Sequence, residues 1–268
     1  MPDRLKDKVA LVAGAGSIGP GWGNGKATAV TFAREGAKVL CADVNLAAAE
    51  ETAAIIAGEG GAARAFQADV TSAADVARMV AACRDAYGRI DVLDNNVGIA
   101  RLGGVVDLPE AEWDRVFAVN LKGAFLAMKH VIPVMEAQGG GAIINISSVA
   151  AIRYTGLPYA SYYASKAALS HLTRTTAVEV AGKRIRVNAI LPGLMETPMV
   201  AHAAGFAAAY AAGGLEEMWA ARARQVPMGF GGDAFDVAWA AVYLASEESR
   251  YVTGLELIVD GGITLKFA

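Results

Sequence analysis

The sequence predicts an α/β fold in one domain, a doubly wound, seven-stranded parallel sheet with helices on both faces. Three observations carry that prediction. Short aliphatic runs alternate with long Ala-rich stretches, the first run leads at once into a glycine-rich turn, and 268 residues are enough to bury a large core without disulfide or metal staples. Alternation of this kind implies parallel pairing, because each strand returns beside the last only through a crossover, which is almost always right-handed. Strands covered on both faces are apolar on both.

In chain order the strands fall at Val9–Ala13, Val39–Ala42, Ala65–Ala68, Val92–Asn95, Ala142–Ser147 and Val187–Leu191, with a seventh at Leu255–Val259. Helices are expected at Lys26–Glu35, Leu46–Gly58, Ser72–Tyr87, Trp113–Gln138, Tyr162–Ala181 and Ala234–Ser246. Gly36, Gly88 and Gly182 stand where helices should stop. One segment breaks the rhythm. Between Thr197 and Gly232 lie Ala-rich stretches carrying Phe206, Tyr210, Met218 and Trp219, bounded by Pro198 and Pro227. Doubly wound sheets bind ligands outside the carboxyl ends of their strands, so this excursion, residues 198–232, is expected to form a small helical substrate lid. No linker, repeat or low-complexity tract divides the chain.

Composition narrows the ligand. Cys41 and Cys83 sit in apolar segments with no CxxC or Cys/His spacing, which predicts buried reduced thiols, no structural zinc and a cytoplasmic location. A net charge of −3 and a pI near 5.7 offer no basic patch for nucleic acid or an anionic membrane. Mean hydropathy is high at +0.35, but the longest stretch without charged residues, Thr197–Leu215, is interrupted by Pro198, Gly205, Gly213 and Gly214 and cannot span a bilayer. The charged start MPDRLKDKVA lacks the apolar stretch of an export signal. His130, His171 and His202 share no ligand spacing, so no metal is expected; His202 lies in the lid segment. A small molecule remains as the expected ligand.

The turn after the first strand runs from Gly14 to Gly25 and opens a helix. Glycines there let the backbone approach a pyrophosphate, whose charge is favoured by the free N–H groups and dipole of the helix N-terminus. Two registers fit. Gly14, Gly16 and Gly19 match GxGxxG literally, whereas Gly14, Gly23 and Gly25 put the last glycine at the helix start. Helix geometry favours the second, which lengthens the turn by about five residues and leaves Ser17 and Ile18 free to fold over the phosphates. Asp43, at the end of the next strand, would accept both ribose hydroxyls of an adenosine and repel a 2′-phosphate, so NAD is the expected cofactor.

Tyr162 and Lys166 are four apart in a predicted helix and project from one face. A phenol of pKa about 10 is a poor acid–base catalyst at neutral pH. An ammonium about 4 Å away at an effective dielectric of about 20 is worth about 4 kcal/mol, or about 3 pKa units, enough to bring the phenol toward neutrality. Ser148, ending the fifth strand, would hydrogen-bond a substrate oxygen beside the tyrosine, and Asn120 is placed to hold a water on the proton path behind Lys166.

With these residues the sequence resembles the short-chain dehydrogenase/reductase family over nearly its whole length. The matching pieces are the Gly14–Gly25 turn, Asp43, Asp69-Val70, Asn95-Asn96-Val97-Gly98, Asn120, Ser148, Tyr162 with Lys166, Pro192-Gly193 with Thr197, and Val259-Asp260-Gly261-Gly262. The resemblance implies a Rossmann-type fold. It also implies that Asp69 and Val70 flank the adenine, Asn96 and Gly98 support the cofactor, Met195 and Thr197 hold the nicotinamide carboxamide, and Lys166 bonds the nicotinamide ribose. Tyr162 would then take the alcohol proton while hydride passes to NAD, the reverse reducing a ketone. This chain departs from the family in its lengthened turn, in Asn24 where isoleucine is usual and in Val97 where alanine is usual. The resemblance, with the apolar helices Trp113–Gln138 and Tyr162–Ala181, implies a homo-oligomer, a tetramer or at least a dimer.

Two other readings stay open. Tyr159, seven residues before Lys166, has the spacing of enoyl reductases in the same superfamily, which reduce a carbon–carbon double bond; Ser148 and Tyr162 argue against it. A non-catalytic nucleotide-binding protein would retain the fold, yet Ser148, Tyr162 and Lys166 are all present. Expected pocket walls are Ile99, Leu102, Tyr154, Leu157, Met199, Phe206 and Trp219, with Arg101 or Arg153 to receive an acidic group. They suggest a secondary alcohol or ketone on an alicyclic or aromatic body.

Overall fold

The computed structural model describes residues 3–202 and 213–266. Seven strands form one parallel sheet: β1 (Val9–Ala13), β2 (Lys38–Asp43), β3 (Ala62–Gln67), β4 (Val92–Asn95), β5 (Gly141–Ile146), β6 (Ile185–Pro192) and β7 (Glu256–Val259). Their spatial order is 3-2-1-4-5-6-7, with every neighbouring pair parallel. The order reverses direction between β1 and β4, and that is where a doubly wound sheet opens a crevice at its carboxyl edge.

Helices cover both faces because the strands are apolar on both. On one face, α1 (Asn24–Arg34), α2 (Leu46–Gly58) and a helix at Ala234–Ala245 bury Val12, Val39, Val92, Ile144 and Ile190 beneath Val30, Phe32, Val237 and Val242. On the other, α3 (Ala73–Tyr87), α5 (Gly123–Ala137) and α6 (Ala160–Val180) close over Leu11, Leu40, Leu93, Ile143 and Val187, with α4 (Glu110–Phe117) packed outside against α6. After β6 come α7 (Pro198–Ala201), α8 (Leu215–Ala223) and the Ala234–Ala245 helix, α9. Cys41 and Cys83 are buried free thiols whose pKa values burial pushes up to about 12. Among the described residues, no helix is long and apolar enough to cross a membrane.

Three expectations need correction. The span Trp113–Gln138 is not one helix: it begins earlier, at Glu110, and a π turn at Ala118–Lys122 separates α4 from α5. Asn120 in that turn is pinned to the Ile99 backbone, and Gly123 is pressed against Val70, so the helix widens to satisfy both. β3 starts three residues sooner than Ala65, pairing Ala62 with Lys38, which edge-strand polarity concealed. Gly36 and Gly88 do adopt left-handed conformations, but Gly182 does not; after α6 the left-handed residue is Arg184, at φ 57°.

Candidate active site

The crevice at the carboxyl edge is assembled from strand ends. Hydrogen bonds running from β4 across β5 to α6 fix their relative positions: Asn95 donates to Asn145 at 2.8 Å, and Asn145 to Thr173 at 2.9 Å. Ser147 ties the end of β5 to α6 through the Lys166 carbonyl and Ser170 Oγ, both at 3.0 Å. Ser148 follows in extended conformation, its hydroxyl accepting the Ala150 N–H at 3.1 Å.

This framework brings Ser148, Tyr162, Lys166 and Asn120 together. Tyr162 and Ser148 face the same cavity, and Lys166 Nζ lies 5.7 Å from the Tyr162 ring centroid. Lys166 is almost wholly buried and donates to the Ile146 carbonyl at 2.7 Å; burial lowers its pKa to about 8. The expected fall of the phenol pKa is not what this arrangement gives. Burial raises the Tyr162 pKa and Ser148 opposes the rise, while Lys166 is held by the Ile146 carbonyl. Asn120 is likewise committed: its Oδ1 accepts from Ile99 N at 2.8 Å, and its Nδ2 donates to Ile99 O at 2.9 Å and Ser165 Oγ at 3.1 Å. The side chain therefore anchors the 98–100 loop.

Tyr159 sits one turn earlier, at the N-cap of α6, and is occupied differently. Its hydroxyl bonds Thr155 Oγ1, its ring stacks on Tyr163 at 4.6 Å, and burial pushes its pKa up. Tyr159 and Tyr162 both face a cavity of about 260 Å³, with Ile18, Ile99, Arg101, Thr155, Met199, His202 and Arg222 also on its wall.

The glycine turn takes the register in which Gly25 meets the helix. α1 starts at Asn24 with Gly23 as its cap, and a β-carbon on Gly25 would collide with the Gly14 carbonyl. Gly14 itself has φ 83°. Asp43 accepts the Gly16 N–H at 3.0 Å and the Asn45 N–H at 2.9 Å, which holds its carboxylate beside the turn. The Ser17 hydroxyl donates to Gly19 O at 2.8 Å within its own loop. Ile18 is exposed and reaches the catalytic cavity. Asp69 caps Thr71, Val70 is buried, and Asn96 donates to Asp94 at 2.8 Å. Pro192 ends β6; Gly193 lines the cavity with no room for a β-carbon beside Asp260; Met195 pairs with Gly232 and is nearly buried, as is Thr197, the cap of α7. These observations fit a dinucleotide: a β-carbon on Gly98 would stand 3.2 Å from Lys166 Nζ, so a glycine keeps the ammonium approachable from the crevice.

Of the expected walls, Ile99 and Met199 face the cavity, while Leu102 and Trp219 pack in the apolar cluster behind it with Leu157. Tyr154 is largely exposed against Tyr163, Arg153 turns away to the Thr264 carbonyl, and Phe206 and Tyr210 lie outside the described residues. Arg101 is on the wall, paired with Glu112 at 2.8 Å. Sequence reasoning missed Arg222 and Asp94. Arg222 is buried at the wall, its Nη2 3.4 Å from Met195 O and its guanidinium 5.5 Å from the Trp219 ring centroid. Asp94 is fully buried in β4 with Oδ1 unpartnered, and burial raises its pKa to about 7. A carboxylate inside the run Val92–Asn95 was the available signal.

Comparison with known proteins agrees with this geometry. Residues 19–264 match a family model described as enoyl-(acyl carrier protein) reductase. The 3-oxoacyl-[acyl-carrier-protein] reductase of Thermotoga maritima is 38% identical, over 98% of this chain and 100% of that protein. A 2,5-dichloro-2,5-cyclohexadiene-1,4-diol dehydrogenase of Sphingobium indicum is also 38% identical, over 98% of each. A crystal structure from Burkholderia xenovorans superposes with TM-score 0.92 at 46% identity, covering 99% of this chain and 100% of that one.

Proposed function

The chain belongs to the short-chain dehydrogenase/reductase family of oxidoreductases, and from that premise we propose that it interconverts a secondary alcohol and a ketone with NAD, using Tyr162 as general acid and base. The observation that carries the reading is the pair of hydroxyl side chains on one cavity wall, Tyr162 and Ser148, with Lys166 one helical turn along α6 from Tyr162.

When bound, the nicotinamide supplies hydride acceptance and donation at the carbinol carbon. The chain's own residues do the rest. Ser148 Oγ and the Tyr162 hydroxyl converge on one substrate oxygen; Tyr162 removes its proton in oxidation and returns it in reduction. Lys166, buried with a pKa near 8, stabilises the phenolate as it forms. Gly14, Gly23, Asn24 and Gly25 would receive the pyrophosphate at the start of α1, and Asp43 the adenosine ribose, favouring NAD over its 2′-phosphate. Asp69, Val70, Asn96 and Gly98 would line the adenine and ribose path; Pro192, Gly193, Met195 and Thr197 would hold the carboxamide.

Enoyl reduction through Tyr159 is the second reading, favoured by the family model's description and by that tyrosine's place on the cavity wall. Its hydroxyl, however, is held by Thr155. Kinetics with a panel of secondary alcohols and NAD test the first reading; an enone outperforming every ketone as substrate would establish the second. Assembly through the open apolar groove between α4, α5 and α6, which Phe117, Leu121, Phe125 and Leu172 line, is part of the proposal. A sedimentation mass of one chain at micromolar concentration would refute it.

A further inference from the structure

The opposite edge of the sheet holds a larger concavity, about 790 Å³, framed by the amino ends of β1, β4, β5 and β6 and by the segment after α9. Lys8, Arg89, Arg184, Arg186 and Arg250 line it, against two carboxylates, Asp91 and Glu247. That local excess of positive charge stands out in a chain whose net charge is −3.

The two carboxylates are already used. Asp91 receives Arg89 through two nitrogens, at 2.6 to 3.0 Å, and the Val9 N–H at 2.9 Å. Glu247 takes Lys8 at 2.7 Å, and its carboxyl is held below the usual range chiefly by Lys8, with Arg186 and Arg250 adding to the effect. Arg186 donates to neutral groups, the Leu244 carbonyl and Ser249 Oγ at 2.8 Å and the Ser246 carbonyl at 3.2 Å. Arg184 and Arg250 are exposed, and neither side chain has a hydrogen-bond or ion-pair partner among the described residues.

Arg184 has a further peculiarity. It occupies the left-handed region at φ 57°, where glycine would be free of strain. Its backbone is locked there: the Arg184 carbonyl accepts the Gly141 N–H at 3.2 Å, and a β-carbon on Gly140 would lie 2.7 Å from the same oxygen. The strained turn therefore roots a charged side chain at the cavity rim.

We propose that this concavity binds a multiply charged phosphate anion, of the polyphosphate class, at a site separate from the catalytic crevice. Guanidinium groups present paired donors that match phosphate oxygens, and an anion of several charges is needed to balance the surplus. Tyr251, fully exposed on the same wall, offers a flat face to a base if the phosphates are carried by a nucleotide.

The test is calorimetric titration of the full chain with inorganic tripolyphosphate and separately with ATP, each with NADH saturating so that the crevice is blocked. One-to-one binding is expected, weakened at least tenfold by Arg184→Ala with Arg250→Ala, while turnover is retained. Tyr251→Ala should weaken ATP alone if a nucleotide is the natural form, and neither probe if the free anion is. Arg184→Gly should raise the melting temperature yet weaken binding. Binding that NADH abolishes, binding unchanged in the double variant, or no binding at low ionic strength would each overturn the proposal.

Discussion

The two edges of the sheet treat charge in opposite ways. At the amino edge the ion pairs are solvated: Lys8 meets Glu247, and Arg89 meets Asp91, with at least one partner of each pair substantially exposed. At the carboxyl edge two ionisable groups are buried without opposite charges: Lys166 on a carbonyl and Asp94 on an amide. Screened pairs neutralise each other and contribute little, whereas the buried single groups Lys166 and Asp94 have pKa values moved toward neutrality, to about 8 and about 7.

The strongest way to break the comparison is Tyr162→Phe, which keeps the ring and removes the proton. Turnover should fall by roughly 10²–10⁴-fold, the usual loss of general acid–base catalysis, with cofactor affinity retained. Tyr159→Phe should cost far less, since Thr155 already engages that hydroxyl; steady-state rates of both variants decide. Asp43→Ala comes next. Losing the carboxylate beside Gly16 should narrow the preference for NAD over NADP by on the order of tenfold, read as a ratio of kcat/KM values. Trp219→Ala should raise KM for the alcohol more than for the cofactor, because that ring packs behind the substrate wall.

Asp94 sharpens the contrast through pH. Its folded pKa, near 7, lies above the ordinary 3.8, so the native state binds more protons than the unfolded chain between those values. The contribution of this group to stability is fully present below about pH 4 and is lost as pH rises through 7. Urea midpoints measured from pH 5 to 8 should therefore fall more steeply for the wild type than for Asp94→Asn; parallel curves would remove Asp94 from the account. Smallest of all, Lys8→Ala should change stability by only roughly 0.2–1 kcal/mol, as solvated pairs do, and salt should erase the effect.

Much of this was legible beforehand for a physical reason. The parallel sheet declares itself through doubly apolar strands, and Gly14, Asp43, Ser148, Tyr162 and Lys166 stand at strand ends or on one helix turn, so local spacing implies their proximity. What stayed hidden depends on contacts distant in sequence. The π turn at Asn120 is set by Ile99 and Val70, the inward turn of Ser17 by its own loop, and the place of Arg222 on the cavity wall by how α8 folds back from β6. Arg184 replaced Gly182 as the left-handed residue because the short 3₁₀ turn after α6 delays the reversal of the chain.

The lengthened glycine turn reaches farther than its own strand. A β-carbon on Gly19 would meet the His202 ring and one on Gly21 would approach the Pro198 ring, so the lengthened turn and the start of α7 lie against each other. On the proposed function, with a cofactor under the turn and a substrate under the segment after β6, the two ligands are thermodynamically linked: whichever arrives first and orders that contact lowers the ordering cost for the other, by the same factor in either direction. A side chain placed at Gly19 would have to displace His202, and so is expected to weaken this reciprocity, read as cofactor affinity with and without substrate.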